Sequence, residues 1–244
     1  NANWGVPVYN FLVQVKPDIL YGYKFNELAV GKIQRQATLT GYMAKLNDTA
    51  RKQTVRIENN LGNGSGVIIA REGTSYYVLT AKHVVENQKT QQLANDIKII
   101  TYDQDNYQPT STVLATGLDL AVVKFTSQSN YPIAQLGQYS PNTGDIILAG
   151  GFPGRDKISS PLWQWQLNPG YIYDPEQGKF ETQDRNSFAK GGYDLIYTSI
   201  SYGGMSGGPV FDTAGRVIGI HGQAETTEKA EILLGKSQGI SIQT

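Results

Sequence analysis

The chain of 244 residues carries 21 Lys+Arg against 21 Asp+Glu, no Cys, and 39% hydrophobic residues, a globular composition with enough apolar residues for a core. Balanced charge excludes a global field that would draw it to nucleic acid or an anionic membrane. The missing thiols exclude disulfides, thiolate metal sites and Cys nucleophiles, and no apolar run approaches the roughly 18 residues of a membrane span. The length fits one large β or α/β unit, or two barrels of about 100 residues each, and excludes a larger multidomain assembly.

Asn1 is followed by no signal-type apolar stretch, so the chain reads as a processed or trimmed form. Residues 25–46 hold few turn residues and many helix formers, with Leu28, Ile33, Leu39, Met43 and Leu46 spaced for one face. Residues 1–50 are therefore expected to form an N-terminal, partly helical extension. From there the pattern changes to short β-type runs between Gly/Asn/Asp turns, at 53–57, 66–71, 76–80, 97–102, 111–116 and 120–125. A second series follows at 145–150, 162–167, 195–199, 209–211, 216–221 and 238–242. Strands at this spacing without intervening helices predict an all-β fold of antiparallel sandwiches or barrels. Residues 131–143, with Pro132, Gly137, Pro141 and Asn142, separate the series, so the expected organisation is an extension (1–50), an N-terminal half (51–136) and a C-terminal half (137–244). The long Gly/Pro-punctuated segment 154–192 has the length of a functional loop.

Only two imidazoles exist, His83 and His221. A lone His reads first as a surface or structural residue, but His83 ends the run Tyr76-Tyr77-Val78-Leu79-Thr80-Ala81-Lys82, where a turn exposes it. Ser206 sits in Gly203-Gly204-Met205-Ser206-Gly207-Gly208-Pro209. Glycines there let the chain turn so that the hydroxyl projects and the N–H groups of Gly204 and Ser206 converge as an oxyanion hole; an ordinary hairpin turn is the alternative. Asp119 opens the apolar run Leu120-Ala121-Val122-Val123 and by itself reads as a turn or cap residue. Taken together, His83, Asp119 and Ser206 follow the chain order of a chymotrypsin-type triad, 36 and 87 residues apart.

Gly64-Ser65-Gly66-Val67-Ile68-Ile69, Val78-Leu79-Thr80-Ala81-Lys82-His83-Val84-Val85, Asp119-Leu120-Ala121-Val122-Val123 and Gly204-Met205-Ser206-Gly207-Gly208-Pro209-Val210 together resemble the trypsin-like serine peptidases in their bacterial, disulfide-free branch, over residues 51–244. The resemblance implies two six-stranded antiparallel Greek-key barrels with the site in the crevice between them. It also implies a serine endopeptidase that forms an acyl-enzyme, needs no cofactor, acts on a peptide or protein substrate, and is secreted or periplasmic. Ser206 Oγ would be the nucleophile, His83 the base and then the acid, and Asp119 the partner of the other ring nitrogen, so that kcat/KM rises with pH through about 6 to 7.5. In the animal digestive branch a freshly cut N-terminal amine pairs with an aspartate just before the nucleophile. Met205 occupies that position here, so no such activating ion pair can form.

The resemblance places the S1 pocket at Ile200, Ser201 and His221-Gly222-Gln223. Ile200 is apolar where trypsin itself has an acid, which leaves Lys or Arg at P1 without a counter-charge. His221, 15 residues after Ser206, and the hydroxyl of Ser201 resemble the glutamyl endopeptidases and suit an acidic P1, with a partly protonated imidazole as the expected donor. The other reading makes His221 a pocket-lining or structural residue, with small P1 residues accepted. Asp103 and Asp105 alternate as Ca²⁺ ligands can, but lack the Gly and Glu of an EF-hand loop and read as an Asx turn. The glycines at 62–66 lead into a strand instead of a helix and so do not form a dinucleotide site. Trp163, Trp165, Tyr171 and Tyr173 alternate as one strand face would, packing on the second barrel or lining a peptide groove. A peptidase-fold module that binds peptides or protein partners without turnover is the alternative function. A third reading is a quality-control protease that carries a peptide-binding domain after the barrels, for which a longer chain than this sequence is expected.

Overall fold

The computed structural model describes residues 41–154, 165–173, 191–226 and 232–243. The chain divides into two units, residues 1–45 and 46–244. Of the first, only the opening turn of helix α1 (Gly41–Gln53) is described, so the helical stretch expected at 25–40 lies outside the described residues. α1 continues seven residues past the expected end at Leu46, because Leu46 and Ala50, four apart on one face, are buried in an apolar cluster with Val67, Phe211 and Val217. Arg51 and Lys52 sit in its last turn, where cations complement the helix dipole. The first strand consequently starts at Thr54.

The first β assembly is an open sheet of seven strands in the order β7-β6-β1-β2-β3-β9-β8. Its strands are β1 (Thr54–Asn59), β2 (Gly62–Glu72), β3 (Ser75–Ala81), β6 (Lys98–Ile100), β7 (Asn106–Tyr107), β8 (Ser111–Leu114) and β9 (Leu120–Thr126). A one-turn helix α2 (Lys82–Val85) and a small hairpin, β4 (Glu86–Asn87) with β5 (Gln92–Leu93), follow β3. Alternation shapes its centre: Tyr76, Val78 and Thr80 of β3 and Ala121, Val123 and Phe125 of β9 turn inward. Tyr76 stacks on Phe125 with ring centroids 5.2 Å apart, and Tyr131 meets Tyr76 edge-on at 5.5 Å.

The second assembly closes into a six-stranded barrel, β10-β11-β12-β15-β14-β13. It comprises β10 (Ile146–Gly151), β11 (Gln166–Ile172), β12 (Leu195–Thr198), β13 (Pro209–Asp212), β14 (Val217–Thr226) and β15 (Ile232–Ser241). The fold is thus mostly β, as expected. The first assembly differs from a closed six-stranded barrel: a short strand at Asn106–Tyr107, which alternation over two residues cannot signal, adds to the expected six, and the sheet stays open.

Candidate active site

Strand register brings His83 to Asp119. β3 and β9 pair antiparallel with Ala81 opposite Leu120, so the residues just past one strand lie beside those just before the other. The N–H of Lys82 accordingly donates to the Asp119 carbonyl at 3.1 Å. α2 begins at that point with no side-chain cap of its own, and Asp119 caps it from across the sheet. Asp119 Oδ1 accepts the His83 N–H at 2.8 Å, and Oδ2 lies 2.6 Å from His83 Nδ1. One carboxylate therefore fixes both the backbone and the ring of the same residue. An ionised carboxylate can only accept, so Nδ1 carries the proton and Nε2 is left as the basic nitrogen. The Tyr193 hydroxyl donates to the same Oδ2. Burial alone would raise the Asp119 pKa. The His83 hydrogen bond and charge, the Tyr193 hydroxyl and the His83 N–H outweigh it and hold the carboxyl below its ordinary value.

Ser206 lies half-buried in the loop 199–208 between β12 and β13. The loop is wound by Met205 N–H to Tyr202 carbonyl (3.0 Å) and Gly208 N–H to Met205 carbonyl (2.9 Å). The Gly203 carbonyl accepts the Gly154 N–H at 2.6 Å. Because a trans peptide sets C=O and N–H in opposite directions, the Gly204 N–H faces away from Gly154. Neither it nor the Ser206 N–H has a hydrogen-bond partner among the described residues. Gly204 takes φ +96°, and a Cβ there would lie 2.4 Å from Gly154 N and 2.7 Å from Phe152 O, so no side chain fits. Gly207, at φ +83°, would put a Cβ 2.1 Å from Thr80 Oγ1 and 2.2 Å from Ser65 O.

Ser65, fully buried in β2, ties this loop to the sheet. Its N–H donates to the Ser206 carbonyl (2.8 Å), its Oγ donates to the Gly204 carbonyl (2.8 Å) and accepts the Phe152 N–H (2.9 Å), and its own carbonyl accepts Thr80 Oγ1 (2.6 Å). Next to it, a Cβ on Gly64 would lie 2.5 Å from Val84 Cγ1 and 3.1 Å from the Ser206 carbonyl, so the backbone of Gly64 touches both the residue after His83 and the residue that carries the hydroxyl. His83 and Asp119 are in direct contact. Ser206 is joined to their sheet through Gly64 and Ser65, and no hydrogen bond links its Oγ to His83 among the described residues.

His221 runs beside the same loop: its carbonyl accepts the Gly207 N–H (2.7 Å) and its N–H donates to the Gly208 carbonyl (2.8 Å). Its ring is 2% exposed, with Nδ1 2.5 Å from the Tyr197 hydroxyl. Burial, with a smaller contribution from the charge of His83, pushes its pKa down to about 3, so the ring is neutral, which corrects the expectation of a partly protonated donor. Burial also raises the Tyr197 phenol, which stays protonated and shares a hydrogen bond with His221 Nδ1. Ser201 is 2% exposed with its Oγ 2.8 Å from Ser237 Oγ, which in turn donates to the Ser199 carbonyl at 3.1 Å. Ile200 is 42% exposed, its carbonyl accepting Asn168 Nδ2 at 2.7 Å. Gly222 is buried against the ring of Tyr193.

The trypsin-like peptidase domain model matches residues 64–220, a span that includes all three triad candidates. The chain belongs to this family. The serine endoprotease DegS of Haemophilus influenzae is 30% identical over 181 residues, covering 72% of this chain and 44% of that protein. A probable periplasmic serine endoprotease DegP-like of Pseudomonas savastanoi is 28% identical over 165 residues, covering 67% and 29%. This family member thus spans less than half the length of these curated relatives. The crystal structure of the serine endoprotease from Yersinia pestis superposes with a TM-score of 0.58 at 23% identity, over 84% of this chain and 64% of that one, a likeness of fold.

Other expectations resolve more simply. Asp103 Oδ1 accepts Thr101 Oγ1 at 2.6 Å, Asp105 Oδ2 accepts the Tyr107 hydroxyl at 3.2 Å, and no cluster of three metal-ligating side chains occurs among the described residues. Trp165 packs into the α1 and barrel cluster and donates Nε1 to Asn47 Oδ1 at 2.9 Å; Tyr171 is exposed, and Trp163 lies outside the described residues. Sequence reasoning passed over Tyr193, Tyr197 and Ser237. The doublet Gly191-Gly192 ahead of Tyr193 was the one legible hint, and nothing local marked the other two.

Proposed function

We propose that this chain is a serine endopeptidase in which Ser206, His83 and Asp119 act as nucleophile, base and orienting carboxylate, the N–H groups of Gly204 and Ser206 bind the oxyanion, and two lobes divide near residue 137. The observation that carries the proposal is the double clamp of Asp119 on His83, which leaves Nε2 as the free base beside a loop that offers two N–H donors unpartnered among the described residues. Ser206 Oγ attacks the scissile carbonyl as its proton passes to His83 Nε2. The C–N bond of the tetrahedral adduct then breaks, the leaving amine takes that proton, and water repeats the sequence on the ester. Met205, fully buried at the position before the nucleophile with its N–H bonded within the loop, gives the loop a local anchor that needs no new N-terminus.

The S1 pocket is assigned to Ile200, Ser201, His221 and Gly222. Its polar lining is neutral: the His221 imidazole suits an acidic P1 side chain, while the Ser201 hydroxyl gives its proton to Ser237; a small P1 is the other residue type the pocket accepts. The location proposed is secreted or periplasmic, in line with the name of the Pseudomonas relative. The test is a fluorophosphonate probe: labelling of the wild type, lost in Ser206→Ala, is expected. A wild type that stays unlabelled and cuts no peptide would point to the alternative, a silent module that binds peptides. Peptides with Glu, Ala, Phe and Arg at P1 then read the pocket, with Glu and Ala ahead of Arg. Equal rates for Glu and Ala would remove the acidic preference, and a lead for Arg would remove the assignment.

A further inference from the structure

We propose that Tyr193 is a positioning residue for the His83–Asp119 pair, its hydroxyl donating to the same Asp119 oxygen that holds His83 Nδ1. The kinetic part of this inference rests on the proposed peptidase function; the contact itself does not. Three donors converge on one carboxylate: the His83 N–H on Oδ1, and the His83 Nδ1–H and the Tyr193 hydroxyl on Oδ2.

The segment that carries Tyr193 is built around Asp119. Gly191 bridges to Leu118, and its carbonyl accepts the Asp119 N–H at 2.8 Å. Gly191 and Gly192 take φ +100° and +78°, and a Cβ on Gly192 would lie 2.3 Å from Leu118 Cδ2, so only glycines bring the chain this close. On the far side of the ring, a Cβ on Gly222 would lie 2.0 Å from Tyr193 Cε1. Tyr193 therefore fills the space that a side chain from β14 would take, and it supplies a hydroxyl there. Burial first, then the charge of Asp119 and the hydrogen bond to it, raise the Tyr193 pKa far above the ordinary value, so the phenol remains a donor at any working pH.

The hydroxyl has two effects on the pair. It locks the carboxylate plane, and it draws negative charge away from the imidazole. Among the described residues, the other titratable groups facing this site are His221 and Tyr197 from the barrel, both uncharged, while Lys82 of α2 and Glu86 of β4 pair with each other at 3.5 Å. Removing the hydroxyl leaves the whole carboxylate charge facing the imidazole, which stabilises the imidazolium.

The chain has only two histidines, and His221 stays neutral through the neutral range, so the His83 imidazole is readily singled out by NMR. In a Ser206→Ala background, adding Tyr193→Phe, which keeps the ring and its packing, should raise the titration midpoint by about half a unit or more. In the active enzyme, Tyr193→Phe should lower kcat about tenfold with KM little changed, and move the acidic limb of kcat/KM upward by the same amount. If Tyr193→Phe does not fold, Tyr193→Met fills similar apolar volume without a hydroxyl and is read in the same way. An unmoved midpoint, or a fall in Tm with an unchanged pH profile, would overturn the inference. Because the NMR midpoint requires no turnover, a protein that neither labels nor cuts would defeat the peptidase reading while leaving this test intact.

Discussion

The open sheet and the closed barrel contribute to the site by different physical means. In the sheet, His83 and Asp119 stand at paired strand ends, and the register of β3 on β9 brings them together with little help from elsewhere. In the barrel, Ser206 rides on a glycine loop whose shape is imposed from outside, by Ser65, Gly64 and Thr80 of the sheet and by Gly154. A ladder of backbone hydrogen bonds over seven residue pairs resists slippage, because a one-residue shift would turn every buried side chain of β3 to the wrong face. A loop has no such ladder and keeps its form only while its particular clamps hold. The half that carries the nucleophile is therefore expected to be the more sensitive to remote substitutions.

The largest effect tests whether the two halves work as one. Ser206→Ala or His83→Ala should each lower kcat by about 10⁴ to 10⁶, with the double variant little worse than either, measured on a cleaved peptide. Independent, additive losses would mean the halves do not cooperate. Gly204→Ala should come next: with backbone atoms of Gly154 and Phe152 in the way, the loop must shift and the oxyanion donor with it, lowering kcat by about 10² to 10³ while fluorescence-monitored unfolding still shows a folded protein. Ser65→Ala sharpens the comparison, because the residue belongs to the sheet and the damage should appear in the loop. The variant leaves the Phe152 N–H and the Gly204 carbonyl without their side-chain partner, at a cost of about 2 to 4 kcal/mol in urea unfolding together with a fall in kcat.

The smallest effect concerns His221 and pH. In the fold its pKa is about 3, against roughly 6.5 when unfolded, so between those values the unfolded chain binds the extra proton. The stabilisation is complete above about pH 6.5 and falls away as the pH drops toward 3, amounting to a loss of about 2 kcal/mol by pH 5. His221→Asn, which cannot charge, should flatten that window when urea midpoints at pH 7 and pH 5 are compared. An equal loss in both proteins would reassign the pH dependence to other groups.

Much of the sheet half was legible because its signals are local. Alternation over Tyr76 to Thr80 and over Leu120 to Phe125 marks two strands, and a polar residue at the junction of each marks where the chemistry can sit. The glycines around Ser206 were legible as a turn, since only residues without Cβ take positive φ cheaply. The continuation of α1 to Gln53 and the two-residue strand at Asn106–Tyr107 were not, because burial of Leu46 and Ala50 and pairing with β6 depend on partners distant in the chain.

The sequence by itself determined the strand periods, the polar residues at the strand ends and the glycine turn, all of which are properties of neighbouring residues. Only the tertiary structure decided that Asp119 would accept from Tyr193 as well as His83, that Ser65 would hold the oxyanion loop, and that His221 would be neutral. Hydrogen-bond partners and desolvation depend on which atoms are close in space, and in this chain the decisive pairs lie 24 to 139 residues apart.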